Sequence, residues 1–426
     1  MKRILTTLLG LGVAVAANHA EAVPAFARTT GMACSSCHDA WPVLNDFGEA
    51  FRDRGYRVRA GTEDGTDHAL AAFPIALRTA LAYQDTITSH QTTDSGEKTV
   101  HSGSLAFPEA DVIFGENLSP GTSVFAVISG FGSEGTASLE SAWARLNDLG
   151  GSSWLNLKIG QTELDLPSSE HRAYTLTREG FLIDHYHPGG SLNGFSIGDN
   201  QTAIELSGHG DGPGFRYALS LANSPSEGGA GPFSAPATYL HLTYTTLPDN
   251  SFLKRFRIGL VADANWTPTE YLQNAGENVA GTGKKAKMAM QAGLDLHFAF
   301  NTLANPVALT LTWLYGKEDK ALVPGATDAP AYHGGYAELD YTATVNLQFF
   351  GRVESVMNLK QAVSGTDKSA GNQMAVAVGA RHILWLSSWG SMAGHVEASS
   401  ENDTKASALG KDVRTTAAFA GIDLAI

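Results

Sequence analysis

Along most of this chain apolar residues recur at every second position. In YLHLTYT (239–245), Leu240, Leu242 and Tyr244 alternate with His241, Thr243 and Thr245, and in FRYALSL (215–221), Phe215, Tyr217, Leu219 and Leu221 alternate with Arg216, Ala218 and Ser220. A period of two sends successive side chains to opposite faces of an extended strand. The pattern returns in FRIGLVADANW (256–266), LDLHFAF (294–300), ALTLTWLY (308–315) and TVNLQFFGRV (344–353). One face of these segments is apolar, and the other collects Arg257, Asp263, Asp295, His297, Asn346, Gln348 and Arg352. Strands of this kind present one side to lipid and the other to water.

The pattern predicts strands near 73–83, 104–115, 121–131, 138–147, 152–163, 203–209, 214–222 and 236–246. A second set is expected near 254–264, 287–299, 306–315, 332–341, 343–353, 373–383, 390–399 and 414–426, which makes about sixteen. Tight connections (ENLSPG, NDLGGSS, GDGPG, LPDNS, NTLANP) alternate with longer ones at 84–103, 164–202, 266–286, 316–331 and 354–372. Short turns at one end and long loops at the other are the habit of outer-membrane barrels, and an even count returns the chain to its starting side. The expected fold is therefore all-β, a transmembrane antiparallel β-barrel over residues 73–426. A secreted β-sandwich array or β-helix would share the alternation and the Gly-rich turns, but not the alternating loop lengths. One departure from the usual barrel pattern is the ending Ile422, Leu424, Ile426, where an aromatic residue is common.

The first 22 residues do not belong to this pattern. Lys2 and Arg3, the apolar stretch Leu5 to Ala17 and the small-residue motif Ala20-Glu21-Ala22 are those of a cleaved secretory signal peptide. Its apolar part is too short to span a bilayer, and no run of eighteen apolar residues follows. Without residues 1–22 the chain keeps 27 basic and 42 acidic residues, a net charge of −15, which argues against a nucleic-acid partner. Phosphate-binding glycine loops, a nucleophile elbow and H-E-x-x-H are absent, so nothing suggests hydrolysis or nucleotide chemistry.

Both cysteines of the chain fall in one stretch, CSSCH, residues 34–38. A C-x-x-C pair closes almost no loop and is a poor structural staple. With a histidine next in sequence it reads as a site for one haem c, Cys34 and Cys37 forming the covalent thioethers and His38 the proximal iron ligand. An isolated redox dithiol is the alternative. Zinc would require further thiols or clustered histidines.

The flanks carry a resemblance. The segment VPAFARTTGMACSSCHDAWPVLNDFGEAFRDRGYR (23–57) resembles the N-terminus of outer-membrane fused monohaem cytochrome-porins, the iron-oxidising outer-membrane cytochrome c type. The family pattern P-x-F-A-R-x-T-G-x-x-C-x-x-C-H followed by P-x-L-x-x-F-G is matched by Pro24, Phe26, Ala27, Arg28, Thr30, Gly31, Cys34, Cys37, His38, Pro42, Leu44, Phe47 and Gly48. The resemblance implies a haem-bearing segment over 23–72, a porin-like barrel in the outer membrane of a Gram-negative bacterium, and electron transfer from an extracellular donor such as Fe(II). A periplasmic c-type cytochrome would accept the electron. Outward flow to an external acceptor, or a diffusion porin whose haem segment only plugs or senses, are the rival readings.

An apolar band about 25 Å tall separates the two sides, so a haem resting at one mouth could not serve partners at the other. The haem segment is thus expected inside the lumen, with WPVLNDFGEAFRDRGYR forming a short helix and turn capped by Asn45 or Asp46. The distal haem ligand is open. Met32 stands too near Cys34 to reach the opposite face, and Met288, Met290, Met357, Met374 and Met392 lie on or near strands. The long loop 164–202 holds the candidates His171, His185 and His187. Lumen-side Lys158, Arg216, His241 and Asp295 are read as wetted channel wall. The acidic outer loops with Asp85, Asp94 and Glu97 do not have the spacing of a metal site.

Overall fold

The computed structural model describes Phe26, Thr30, Met32 and residues 34–40, 43–58, 74–93, 96–130, 137–169, 180–210, 212–223, 236–248, 252–267, 286–302, 305–360, 369–387, 390–406 and 410–426. The signal-peptide reading of 1–22 and the candidate His171 lie outside these residues. Among the described residues sixteen antiparallel strands close into one barrel. They are β1 (Ile75–Thr93), β2 (Gly96–Ser119), β3 (Thr122–Ser129), β4 (Ser138–Leu146), β5 (Asn156–Thr162), β6 (Gln201–His209), β7 (Phe215–Asn223) and β8 (Ala237–Thr246), followed by β9 (Leu253–Thr267), β10 (Lys287–Thr302), β11 (Asn305–Glu318), β12 (Ala331–Thr344), β13 (Leu347–Asn358), β14 (Gln373–Ser387), β15 (Gly390–Asp403) and β16 (Val413–Ala425). Each strand pairs with its neighbours in sequence. Closure comes from β16 on β1, in a register running from Arg414 opposite Ser89 to Ala425 opposite Arg78. Every expected strand is present, and the alternation has the expected sense. Leu219, Leu294, Trp313, Leu339 and Val378 are exposed on the outside, whereas Ser220, His241, Asp295, Arg352 and Arg381 are buried on the inside.

The boundaries differ where both strand faces are wet. Of residues 84–103, expected as an outer loop, 84–93 and 96–103 continue β1 and β2 as paired strands, with Gln84 opposite Ser104 and Gln91 opposite Lys98. Ladder pairing needs no apolar face once the strands have left the lipid belt, so the alternation fades while the backbone pairing persists. Within it His101 contacts Asp85 at 2.6 Å. Val345 and Asn346, expected within the strand 343–353, form the turn between β12 and β13, with Val345 82% exposed. The fifth strand, expected from 152, begins only at Asn156, because Leu155 N–H closes a turn on Ser152 O at 3.0 Å after the 3-10 turn at Leu149–Gly151.

Two segments enter the lumen. The long connection after β5 turns inward and forms a short helix, α3 (Leu182–His185), whose Leu164, Phe181, Ile183, Tyr186 and Ile197 make an apolar cluster with inward residues of the barrel such as Tyr239, Leu314, Tyr332 and Val356. Phe181 stacks on Tyr336 at 4.0 Å between centroids, and the Arg352 guanidinium lies 4.5 Å from the Phe181 ring. The second segment is N-terminal and carries the cysteines.

Candidate functional site

The N-terminal segment is built on one helical turn, α1 (Cys34–Cys37), a small ribbon pairing His38 with Leu44, and a second helix, α2 (Asp46–Asp53). Asn45 joins them. Its side-chain oxygen accepts from Gly48 N at 2.9 Å as the N-cap of α2, its amide donates to Ser36 O at 3.2 Å, and its backbone N–H donates to Cys37 O at 3.0 Å. Of the two expected caps, Asn45 is the one in use. Gly48 explains the Phe-Gly pair in the sequence: a Cβ there would fall 1.9 Å from Cys37 O, so only glycine lets α2 pack this closely on the cysteine turn.

Charged residues of the barrel hold this segment at the short-turn end of the lumen. Glu49 pairs with Arg255 and, at 3.2 Å, with Arg257, while Arg255 also reaches Asp46 at 2.5 Å. Arg216 of β7 meets Asp53 at 2.9 Å, and Arg145 of β4 donates to the carbonyls of Arg52 and Asp53 at 3.2 and 2.5 Å. Arg57 binds Pro120 O at 2.7 Å and Asp148 at 2.9 Å, both in short turns. Burial opposes the charge on Glu49 and Asp53, yet the adjacent guanidiniums, Arg255 and Arg257 for the first and Arg216 and Arg52 for the second, hold both carboxyls below the usual carboxylate range. An aromatic column completes the attachment. Phe26 stacks on Tyr56 at 4.5 Å, and Tyr56 continues to Phe125 at 5.9 Å and Trp143 at 6.1 Å on the barrel wall.

Between this plug and the wall formed by β1 to β7 lies a chamber with about 230 Å³ of water-accessible space, continuous with solvent. Cys37 and His38 open onto it from the plug, and both are buried. Phe26, Phe51, Tyr56, Phe125 and Trp143 line one part of it; Arg145, Lys158, Glu205 and Arg216 line another. Desolvation pushes the Cys37 thiol up to about 11, opposite to the lowered value that marks a redox-active dithiol.

A haem c asks for two thiols one helical turn apart, an adjacent imidazole and an amphipathic chamber for a ring that is apolar with a carboxylate edge. The residues present suit that group. Cys34 and Cys37 delimit α1, His38 follows directly, and the chamber joins rings to charged side chains of both signs.

The loop histidines stand elsewhere. His185 is exposed and contacts Ser196 at 3.1 Å and Asp199 at 3.3 Å. His187 approaches Glu318 at 3.4 Å and lines a small cavity near Asp263 and Tyr332. Neither lines the chamber at His38. The polar residues read as wetted wall face inward as expected, but they are engaged. Lys158 pairs with Glu205 at 3.0 Å, and Asp165 of the long loop accepts from Arg216 at 2.5 and 2.7 Å. His241 lies between Asp165 at 2.9 Å and Asp295 at 3.1 Å. Burial opposes ionisation of Asp165, but Arg216 and His241 hold its carboxyl well below the usual range. Sequence reading passed over Arg145, Glu49 and His209, all of them at the plug or the chamber. In sequence each is an ordinary polar position of a strand or helix, with no local signal.

No protein-family model matches the chain, and a search of curated proteins finds no similar sequence. Solved structures share its fold. An anion-selective porin from Comamonas acidovorans superposes with a TM-score of 0.53 at 10% identity, covering 83% of this chain and 99% of the porin. OmpF of Salmonella typhi, solved in complex with daunomycin, reaches 0.47 at 11% identity over 83% of this chain and 97% of its own. The OmpT loop-deletion mutant of Vibrio cholerae reaches 0.47 at 10% identity, covering 83% and 99%.

Proposed function

We propose that this chain is an outer-membrane cytochrome-porin that holds one haem c inside its barrel and passes electrons across the membrane, from an external donor such as Fe(II) to a periplasmic c-type cytochrome. The observation that carries this reading is that Cys37 and His38 of the C-x-x-C-H turn are buried and face a chamber between plug and barrel lined by aromatic and charged side chains. A haem there would supply a one-electron iron couple. The chain's own residues would do the rest: Cys34 and Cys37 hold the ring, His38 binds the iron, Phe26, Tyr56 and Phe125 keep water from it, and the charged wall faces its polar edge. The filling of the lumen also supports conduction of electrons over diffusion of solutes, because the apolar cluster around Phe181 and Tyr239 occupies space that a porin leaves to water. The outward apolar belt and the porin fold support the outer-membrane location.

The reading is tested with the haem-loaded protein in sealed vesicles that enclose a c-type cytochrome. Fe(II) added outside should reduce the enclosed cytochrome, and empty vesicles should not. Absence of reduction with intact haem, together with steady ion conductance in a planar bilayer, would replace the reading by that of a diffusion porin.

A further inference from the structure

We infer that His209, at the end of β6, is the distal ligand of the haem iron. The inference rests on the haem reading above and goes further by assigning the sixth coordination position. His209 is only 7% exposed and lines the chamber onto which Cys37 and His38 open. It stands in the partition towards an adjoining cavity under α2. Its Nδ1 lies 2.8 Å from the carbonyl oxygen of Gly210. A carbonyl can only accept, so Nδ1 carries the hydrogen and the neutral ring presents a lone pair at Nε2. That Nε2 is buried and has no hydrogen-bond partner. An unpaired buried acceptor is costly unless something occupies it, and an imidazole whose other nitrogen is fixed on a backbone carbonyl is in the form that binds metal.

No other described histidine combines these properties. His241 is engaged by carboxylates on both nitrogens. His185 and His187 lie away from the chamber. His395 also has an unpartnered nitrogen, but it is packed between Phe350 and Phe419 on the far wall. Met32 packs beside Cys37 and Phe51 on the plug itself, the side that supplies His38. The distal ligand must come from the other face, and β6 belongs to the barrel.

The test uses the full-length, haem-loaded protein in detergent, with absorption and electron paramagnetic resonance as readouts. The unaltered protein should be low spin, without the sulfur-to-iron charge-transfer band of methionine ligation. His209→Ala should keep its covalent haem stain, turn high spin, and return to low spin when free imidazole is added. His209→Met should stay low spin, gain the sulfur band and show a higher potential. Heat-dependent gel mobility identifies folded barrel. If His209→Ala does not fold, the sulfur band of the methionine variant decides. A low-spin His209→Ala spectrum identical to that of the unaltered protein, or an unaltered protein that is already high spin, would overturn the assignment while leaving the haem in place. Absence of any haem stain in the unaltered protein would overturn the haem reading itself, and His209 with it.

Discussion

The barrel has two fillings, and they are built from opposite materials. The long connection after β5 packs against β8 to β13 through Leu164, Phe181, Ile183 and Ile197, all 1% exposed, and closes on itself as an apolar core does. The N-terminal plug sits against β1 to β9 through ion pairs, carbonyl contacts and a column of rings, and leaves a chamber open beside it. The difference follows from what each material can do. Apolar side chains gain most by eliminating space, whereas charged pairs act at chosen points and can hold a segment away from a wall. A lumen filled in one region and open in another uses both.

Substitution at the cysteine turn should have the largest effect. Cys37→Ala and Cys34→Ala are each expected to abolish the covalent haem stain on a denaturing gel while the heat-dependent mobility of the barrel persists. Undiminished stain in both would remove the haem from the plug. On the packed side, Phe181→Ala takes away a ring that touches Tyr336 and Arg352. It should destabilise the inward loop by about 3–5 kcal/mol and raise ion conductance, with the haem stain unchanged. A conductance rise only from plug variants would reverse the roles given to the two fillings.

Glu49→Gln should act on the plug alone, since it removes the carboxylate shared by Arg255, 5% exposed and left with Asp46, and Arg257. About 3 kcal/mol is expected, the low end for breaking a buried pair because Glu49 keeps some exposure. Limited proteolysis of residues 23–72 would report it, and unaltered protection would show that the ion pairs do not hold the plug. The same contact sets a pH dependence. The carboxyls of Glu49, Asp53 and Asp165 have values lowered by folding. Their contribution is therefore complete above the ordinary carboxylate value, near pH 4, and is lost as pH falls through the lowered folded values. Protection of the plug should be constant from neutrality down to about pH 4 and decline only below it; loss at pH 6 would contradict the pairing. Asn45→Ala, which removes one cap and the tie to Ser36, should have the smallest effect, about 1 kcal/mol, seen as slightly faster proteolysis at α2.

The all-β class, the sixteen strands and the inward or outward sense of each side chain were legible in the sequence, because a strand half in lipid and half in water imposes alternation residue by residue. The C-x-x-C-H spacing was legible because its members are neighbours in the chain. Hairpin length beyond the belt was not, since strands wet on both faces have no pattern to display. Neither were the partners of Glu49, Arg145 and Arg216, which lie 206, 92 and 51 or more positions away in the chain. His209 shows the division most plainly. Its sequence, SGHGDGPG, announces a strand end and a tight turn and nothing more. Only closure of the barrel around the plug brings that imidazole into the wall of the chamber that Cys37 and His38 face, because local spacing dictates what neighbours in the chain can do together, and contacts across a lumen depend on the whole ring of strands.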